Sequence, residues 1–145
     1  MAARPRSVSI SKTARRLAQP QRDKMPRVPR MRNVNVYVDV DLTLVDHQGG
    51  LLPGAVEALR ALHDAGCHLF LWSTGGCEYC RQVAERYGVA ELFEAFLPKP
   101  DIYIDDMPAT IFNGLVFDAQ QDSWPAVVQR IVREHVHPDD RRRKD

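Results

Sequence analysis

The sequence predicts an α/β domain built as a three-layer sandwich around a mainly parallel sheet. Three observations carry that prediction. Short apolar, β-branched runs alternate with segments of helical periodicity, the order expected of strand–helix–strand units. The runs are nearly continuous in apolar residues, as in strands covered on both faces. The 145 residues, 44% apolar and 27% charged, suffice for one modest core.

The elements follow in order. "VNVYVD" (34–39) reads as a buried first strand. "PGAVEALRALHDAG" (53–66) opens on a proline, spaces Val56, Leu59 and Leu62 at helical intervals and stops at Gly66, which predicts a crossover helix. "HLFLWS" (68–73) is a second strand and "CEYCRQVAERYG" (77–88) a second helix ending at a glycine. "EAFLP" reads as a short edge strand, "DIYID" (101–105) as a fourth strand and "GLVFD" (114–118) as a fifth. "SWPAVVQRIVREHV" (123–136) is the last helix, capped by Ser123 or Asp122 with Pro125 in its first turn. Right-handed crossovers then follow, and ligands of such sheets bind at the carboxyl ends of the strands.

The net charge of +1 conceals two unlike parts. Residues 1–33 carry ten Lys or Arg against one acid, about +9, and residues 34–145 carry ten against eighteen, about −8. The first part has four prolines and hardly any periodic apolar face, so it reads as a basic, disordered extension. Three origins fit it: a nucleic-acid or anionic-surface arm, an Arg-rich transit peptide, or an overlong start ahead of Met25 or Met31. Residues 34–136 form the predicted domain and 137–145 a charged, solvated tail. No apolar run reaches the roughly 20 residues of a membrane helix and no early apolar segment resembles a secretory signal, so a cytoplasmic address and no membrane partner are expected.

Polar residues gather at the predicted carboxyl edge. Asp39 and Asp41 end the first strand, Ser73 and Thr74 the second, Asp105 and Asp106 the fourth, and Lys99 precedes the fourth. Side chains two apart in an extended segment point the same way, with Cα atoms about 6–7 Å apart, so Asp39 and Asp41 can face one pocket. Crowded carboxylates repel and would take up protons, whereas several acids beside one lysine suit a hard cation, Mg²⁺ being the natural choice. Mg²⁺, a lysine and a hydroxyl donor together would orient a phosphate for in-line attack.

These residues resemble the motifs of the haloacid dehalogenase (HAD) superfamily. "DVDLT" (39–43) is similar to its first motif, Ser73 closing "LFLWS" to the second, Lys99 in "KPD" to the third, and "IYIDD" ending in Asp105 and Asp106 to the fourth. All four stand in the right order over about residues 34–136. The resemblance implies a Rossmann-like, HAD-like fold and a Mg²⁺-dependent phosphomonoester hydrolase. Asp39 would be the nucleophile forming an aspartyl-phosphate, and Asp41 the general acid and then base. Thr43, Ser73, Thr74 and Lys99 would bind the phosphate, with Lys99 also holding the nucleophile. Asp39, Asp41, Asp105 and Asp106 would bind Mg²⁺. The first motif departs from its commonest form at Leu42, where glycine is frequent.

The gap after the first motif and the gap between the second and third are too short for a cap domain. An open site is therefore expected, closed at most by the Gly49–Gly50 loop. It would suit a bulky phosphorylated substrate, a phosphoprotein or a nucleic-acid end, or a partner subunit supplying a lid; nucleic acid could be brought by the N-terminal tail, and the chain could be a monomer or a homo-oligomer. A small nucleotide is the alternative substrate, and a non-catalytic phosphate-binding or scaffold module with the same fold is the alternative from a different class. Cys77 and Cys80 share a CxxC spacing at a predicted helix N-terminus, where a thiol's pKa can fall, but Cys67 has no partner motif for zinc. Reduced structural thiols outweigh redox control, and the five histidines show no metal-ligand spacing.

Overall fold

The computed structural model describes residues 24–31, 33–106 and 116–135. Its elements are β1 (Asn35–Asp39), α1 (Ala55–Asp64), β2 (His68–Ser73), α2 (Cys77–Arg86), β3 (Phe93–Pro98) and α3 (Trp124–His135), with a 3-10 turn at Ala90–Leu92. The strands form a parallel sheet in the order β1-β2-β3, and β3 is the edge strand that "EAFLP" predicts. The predicted strands at 34–39 and 68–73 and all three predicted helices are present, so the α/β class with a small parallel sheet holds.

Helical spacing explains the packing. α1 buries Ala55, Ala58, Leu59 and Leu62, one stripe at positions i, i+3, i+4 and i+7, and packs on β2 and α3. α3 buries the matching stripe Trp124, Val127, Val128 and Ile131. α2 turns Cys80, Val83 and Ala84 to β2 and β3. Leu59, Leu62, Leu69 and Leu71 are fully buried, each contributing about 1.5–3 kcal/mol. Ser123 caps α3, its Oγ accepting Ala126 N–H at 3.4 Å and its carbonyl Val127 N–H at 2.9 Å.

α1 ends as its glycine predicts. Cys67 N–H reaches Leu62 O at 3.1 Å and Gly66 N–H reaches His63 O at 2.9 Å, closing the helix with Gly66 at φ 98°. A side chain there would also meet the Met31 carbonyl at 2.8 Å.

Two strand predictions need correction. Residues 101–106 form bends and coil, with Ile102 at 78%, Tyr103 at 54% and Ile104 at 92% exposure, so no fourth strand exists there. The reason is connectivity: a parallel neighbour needs a crossover of a dozen or so residues, and only Lys99 and Pro100 separate β3 from Asp101. The predicted fifth strand falls partly outside the described residues, and residues 116–118 form no strand.

The start of the described chain lies against the domain. Met31 is 3% exposed, donates its N–H to Ala65 O at 2.7 Å and accepts a weak bond from the Cys67 thiol, and Met25 and Val28 pack beside the core. Residues 24–31, assigned to the basic extension on composition, thus make tertiary contacts; residues 1–23 and the tail 137–145 lie outside the described residues. No helix among the described residues is long and apolar enough to cross a membrane.

Candidate active site

Asp39 is the last residue of β1, and its half-buried carboxylate meets the half-buried Lys99 just beyond β3. Lys99 Nζ stands 3.1 Å from Asp39 Oδ1. Lys99 is held from behind by its backbone, whose N–H donates to Ser73 O at 3.0 Å at the end of β2. β1 and β3 flank β2 and all three run the same way, so residues 60 positions apart arrive at one carboxyl edge.

After Asp39 the chain turns sharply. Val40 O accepts the N–H groups of Thr43, Leu44 and Val45 at 3.4, 2.9 and 3.0 Å, and Leu42 adopts φ 60°. That left-handed conformation suits glycine and strains leucine, which accounts for the glycine frequent at this place in the motif and makes Leu42 a strained departure from it. The turn leaves Asp41 exposed, its Oδ1 accepting the Tyr79 hydroxyl at 2.7 Å from the first turn of α2. Thr43 is half-buried, and its carbonyl accepts the Trp124 indole N–H at 3.0 Å, tying α3 to the site loop.

The Gly49–Gly50 loop is a compact turn. Asp46 Oδ1 accepts the N–H groups of Gln48 and Gly50 at 2.8 and 2.9 Å, and the Tyr87 hydroxyl donates to Gly49 O. Those N–H bonds, Gly50 first, hold the Asp46 carboxyl below its ordinary range.

The other predicted residues fare differently. Ser73 is 1% exposed and its Oγ accepts Gly75 N–H at 3.0 Å, so its hydroxyl shapes the β2–α2 loop from inside. It does not cap α2, whose N-cap is Gly76. Thr74 is exposed on that loop. Asp105 and Asp106 are exposed, Asp105 accepting the Tyr103 hydroxyl at 2.8 Å. Among the described residues no three His, Cys, Asp or Glu side chains converge closely enough to hold a metal ion, so the acids that would bind Mg²⁺ are not assembled.

Two aromatic residues were missed by motif reading. Tyr79 lies inside the CxxC segment, and only the three-dimensional approach of α2 to the β1 turn singles it out. Trp72 pairs in register with Asp39, and Lys99 Nζ sits 5.8 Å from its ring centroid. Nothing within its own strand singles it out; the pairing with β1 and the approach of Lys99 do. Cys77 is exposed and Cys80 buried, both as free thiols. Burial, followed by the proximity of Cys77, pushes the Cys80 thiol up, so the buried member is not an activated thiolate.

A shallow cleft of about 570 Å³, lined by Arg27, Arg30 and the C-terminal end of α1, shares no residue with this edge. The site and fold define an α/β protein with an aspartate–lysine pair at the carboxyl edge of a parallel sheet. Compared with protein families, curated proteins and solved structures, the chain matches none.

Proposed function

We propose that the protein is a phosphomonoester hydrolase of the HAD type, a cytoplasmic enzyme acting through an aspartyl-phosphate on Asp39. The observation that supports it is the Asp39–Lys99 pair at 3.1 Å, with Asp41 two residues further on and open to solvent. An Asp39 oxygen attacks phosphorus and the ester P–O bond breaks. Asp41 gives its proton to the departing oxygen, then takes one from the water that releases inorganic phosphate and restores Asp39. Lys99 holds the nucleophile in place and offsets the charge of the phosphoryl oxygens.

Mg²⁺ is the cofactor that the motif resemblance implies. Asp39 and Asp41 offer oxygen donors of suitable hardness, but among the described residues no third His, Cys, Asp or Glu joins them to complete a site. That same observation favours a second reading, a non-catalytic phosphate-binding or scaffold module.

The test is turnover of an aryl phosphate with and without Mg²⁺. Wild-type protein hydrolyses it, and Asp39→Asn, which cannot form the acyl-phosphate, loses turnover while keeping its circular dichroism spectrum. Wild-type rates in Asp39→Asn would reject the nucleophile; phosphate binding without turnover in the wild type would select the scaffold reading.

A further inference from the structure

We infer that Tyr79 is a positioning residue for Asp41, its hydroxyl fixing one carboxylate oxygen so that the other is presented to the departing group. This role rests on the hydrolase reading, and Tyr79 lies outside the four motifs.

Asp41 needs such support more than Asp39 does. Asp39 ends a hydrogen-bonded strand and is gripped by Lys99 at 3.1 Å. Asp41 lies past that strand, exposed, in a turn whose next residue, Leu42, is left-handed. An exposed aspartate samples several χ1 rotamers, and only some of them aim it at a group bound beside Asp39. Tyr79, half-buried on α2, removes that freedom by donating its hydroxyl to Asp41 Oδ1 at 2.7 Å, the length of a charge-assisted bond.

Tyr79 is itself held in place. Its ring packs beside the core and lies over the backbone of Gly75, where a Cβ would stand 2.7 Å from Tyr79 Cδ1. Gly75 is fixed in turn by the buried Ser73, whose Oγ accepts its N–H at 3.0 Å. Ser73 is the last residue of β2, so Ser73, Gly75 and Tyr79 form a chain of contacts from the sheet out to the exposed carboxylate. With Oδ1 occupied by the phenol, Oδ2 carries the transferable proton. That proton passes to the ester oxygen as the P–O bond breaks, and one from the attacking water returns to Oδ2.

A plain structural tie between α2 and the β1 turn would use the same bond, but the two roles differ in kinetics. The experiment is a double-mutant cycle on the full chain with Mg²⁺ present: wild type, Tyr79→Phe, Asp41→Asn and the double variant. Rapid-quench single turnover measures formation of the aspartyl-phosphate from an alkyl phosphate and from an activated aryl phosphate. Tyr79→Phe should lose about fivefold on the alkyl phosphate, the worth of one ordinary hydrogen bond, and less than about twofold on the aryl phosphate. In the Asp41→Asn background the same change should cost nothing further, because no proton is left to direct. Equal losses on both substrates, no loss on either, or the same fivefold loss repeated in the Asp41→Asn background would overturn the positioning role and leave the tie. A wild type phosphorylated by neither substrate removes the hydrolase reading and the positioning role together. An active wild type with any of the three contrary results removes the positioning role alone.

Discussion

Tyr79 donates its hydroxyl to Asp41 Oδ1 at 2.7 Å across 38 positions of sequence, joining the first turn of α2 to the turn after β1. Its ring lies against the bare backbone of Gly75, where a Cβ would stand 2.7 Å from Tyr79 Cδ1. The bond and the absence of a side chain at Gly75 together orient a phenol over a carboxylate.

That contact has a measurable pH signature. Ionising Tyr79 would break the bond to Asp41 and oppose two anions, so its pKa is pushed up from 10.0 to about 12, the Asp41 hydrogen bond first among the causes and burial second. With the folded value raised, the stabilisation is fully present below pH 10 and is lost as pH rises through about 12, because the unfolded chain gives up this proton first. Thermal stability should therefore fall more steeply between pH 10 and 12 in wild type than in Tyr79→Phe. Tyr103, also raised by its bond to Asp105, is common to both proteins and cancels. Equal slopes would mean that the bond does not form.

Leu42 offers a test of stored strain. An L-residue in the left-handed region pays about 1–2 kcal/mol, and this side chain is 41% exposed, so little packing offsets it. Leu42→Asn, which tolerates that conformation, should raise the unfolding free energy by about 0.5–1 kcal/mol, and Leu42→Val should lower it by about 1 kcal/mol or more. Denaturant titration measures both, and a loss in Asn with no change in Val would contradict the assigned backbone.

Truncation locates the edge of the folded unit. Removing residues 1–23 should leave stability and aryl phosphate hydrolysis unchanged, because composition assigns that stretch no core. Removing residues 1–32 takes away the buried Met31 and its bond to Ala65 O, and with them the contacts of Met25 and Val28. The expected loss is roughly 3 kcal/mol, from about 1.5–3 for burying Met31 and about 1 for the hydrogen bond. Equal stability of the two truncations would show residues 24–31 to be dispensable.

Local pattern made most of this architecture legible. The apolar runs at 34–39 and 68–73 and the stripes of the three helices are signals within one element, and Asp39, Ser73 and Lys99 inherit their common edge from parallel strand direction. Residues 101–105 misled because alternation and β-branching describe a segment without asking whether the chain can carry it back to the amino edge. Lys99 and Pro100 cannot span that return, and with the strand goes the convergence of Asp105 and Asp106 on Asp39. Ser73 was legible in place but not in orientation: strand alternation turns it to the face of Leu71, away from that of Asp39. Tyr79 and Trp72 depend on pairings between distant elements, which no single segment encodes.

The two aspartates of the first motif can be separated by leaving group. In the proposed mechanism Asp39 attacks, whereas Asp41 protonates the departing oxygen and later deprotonates water. Its exposed position beyond the β1 turn leaves it accessible to both. An alkoxide departs poorly without a proton, and general acid help is typically worth about 10²- to 10⁴-fold, while an activated phenolate needs little. Asp41→Asn should therefore lose about 10²-fold or more in phosphorylation rate on an alkyl phosphate and far less on an activated aryl phosphate. Its aspartyl-phosphate should persist longer on both, because water has lost its base. Tyr79→Phe keeps the carboxyl but frees its orientation, so it should show the same leaving-group bias in smaller measure. Rapid-quench single-turnover measurements resolve the two steps. Equal losses on both substrates, with dephosphorylation no slower, would remove Asp41 from proton transfer and leave its bond to Tyr79 as a structural tie between β1 and α2.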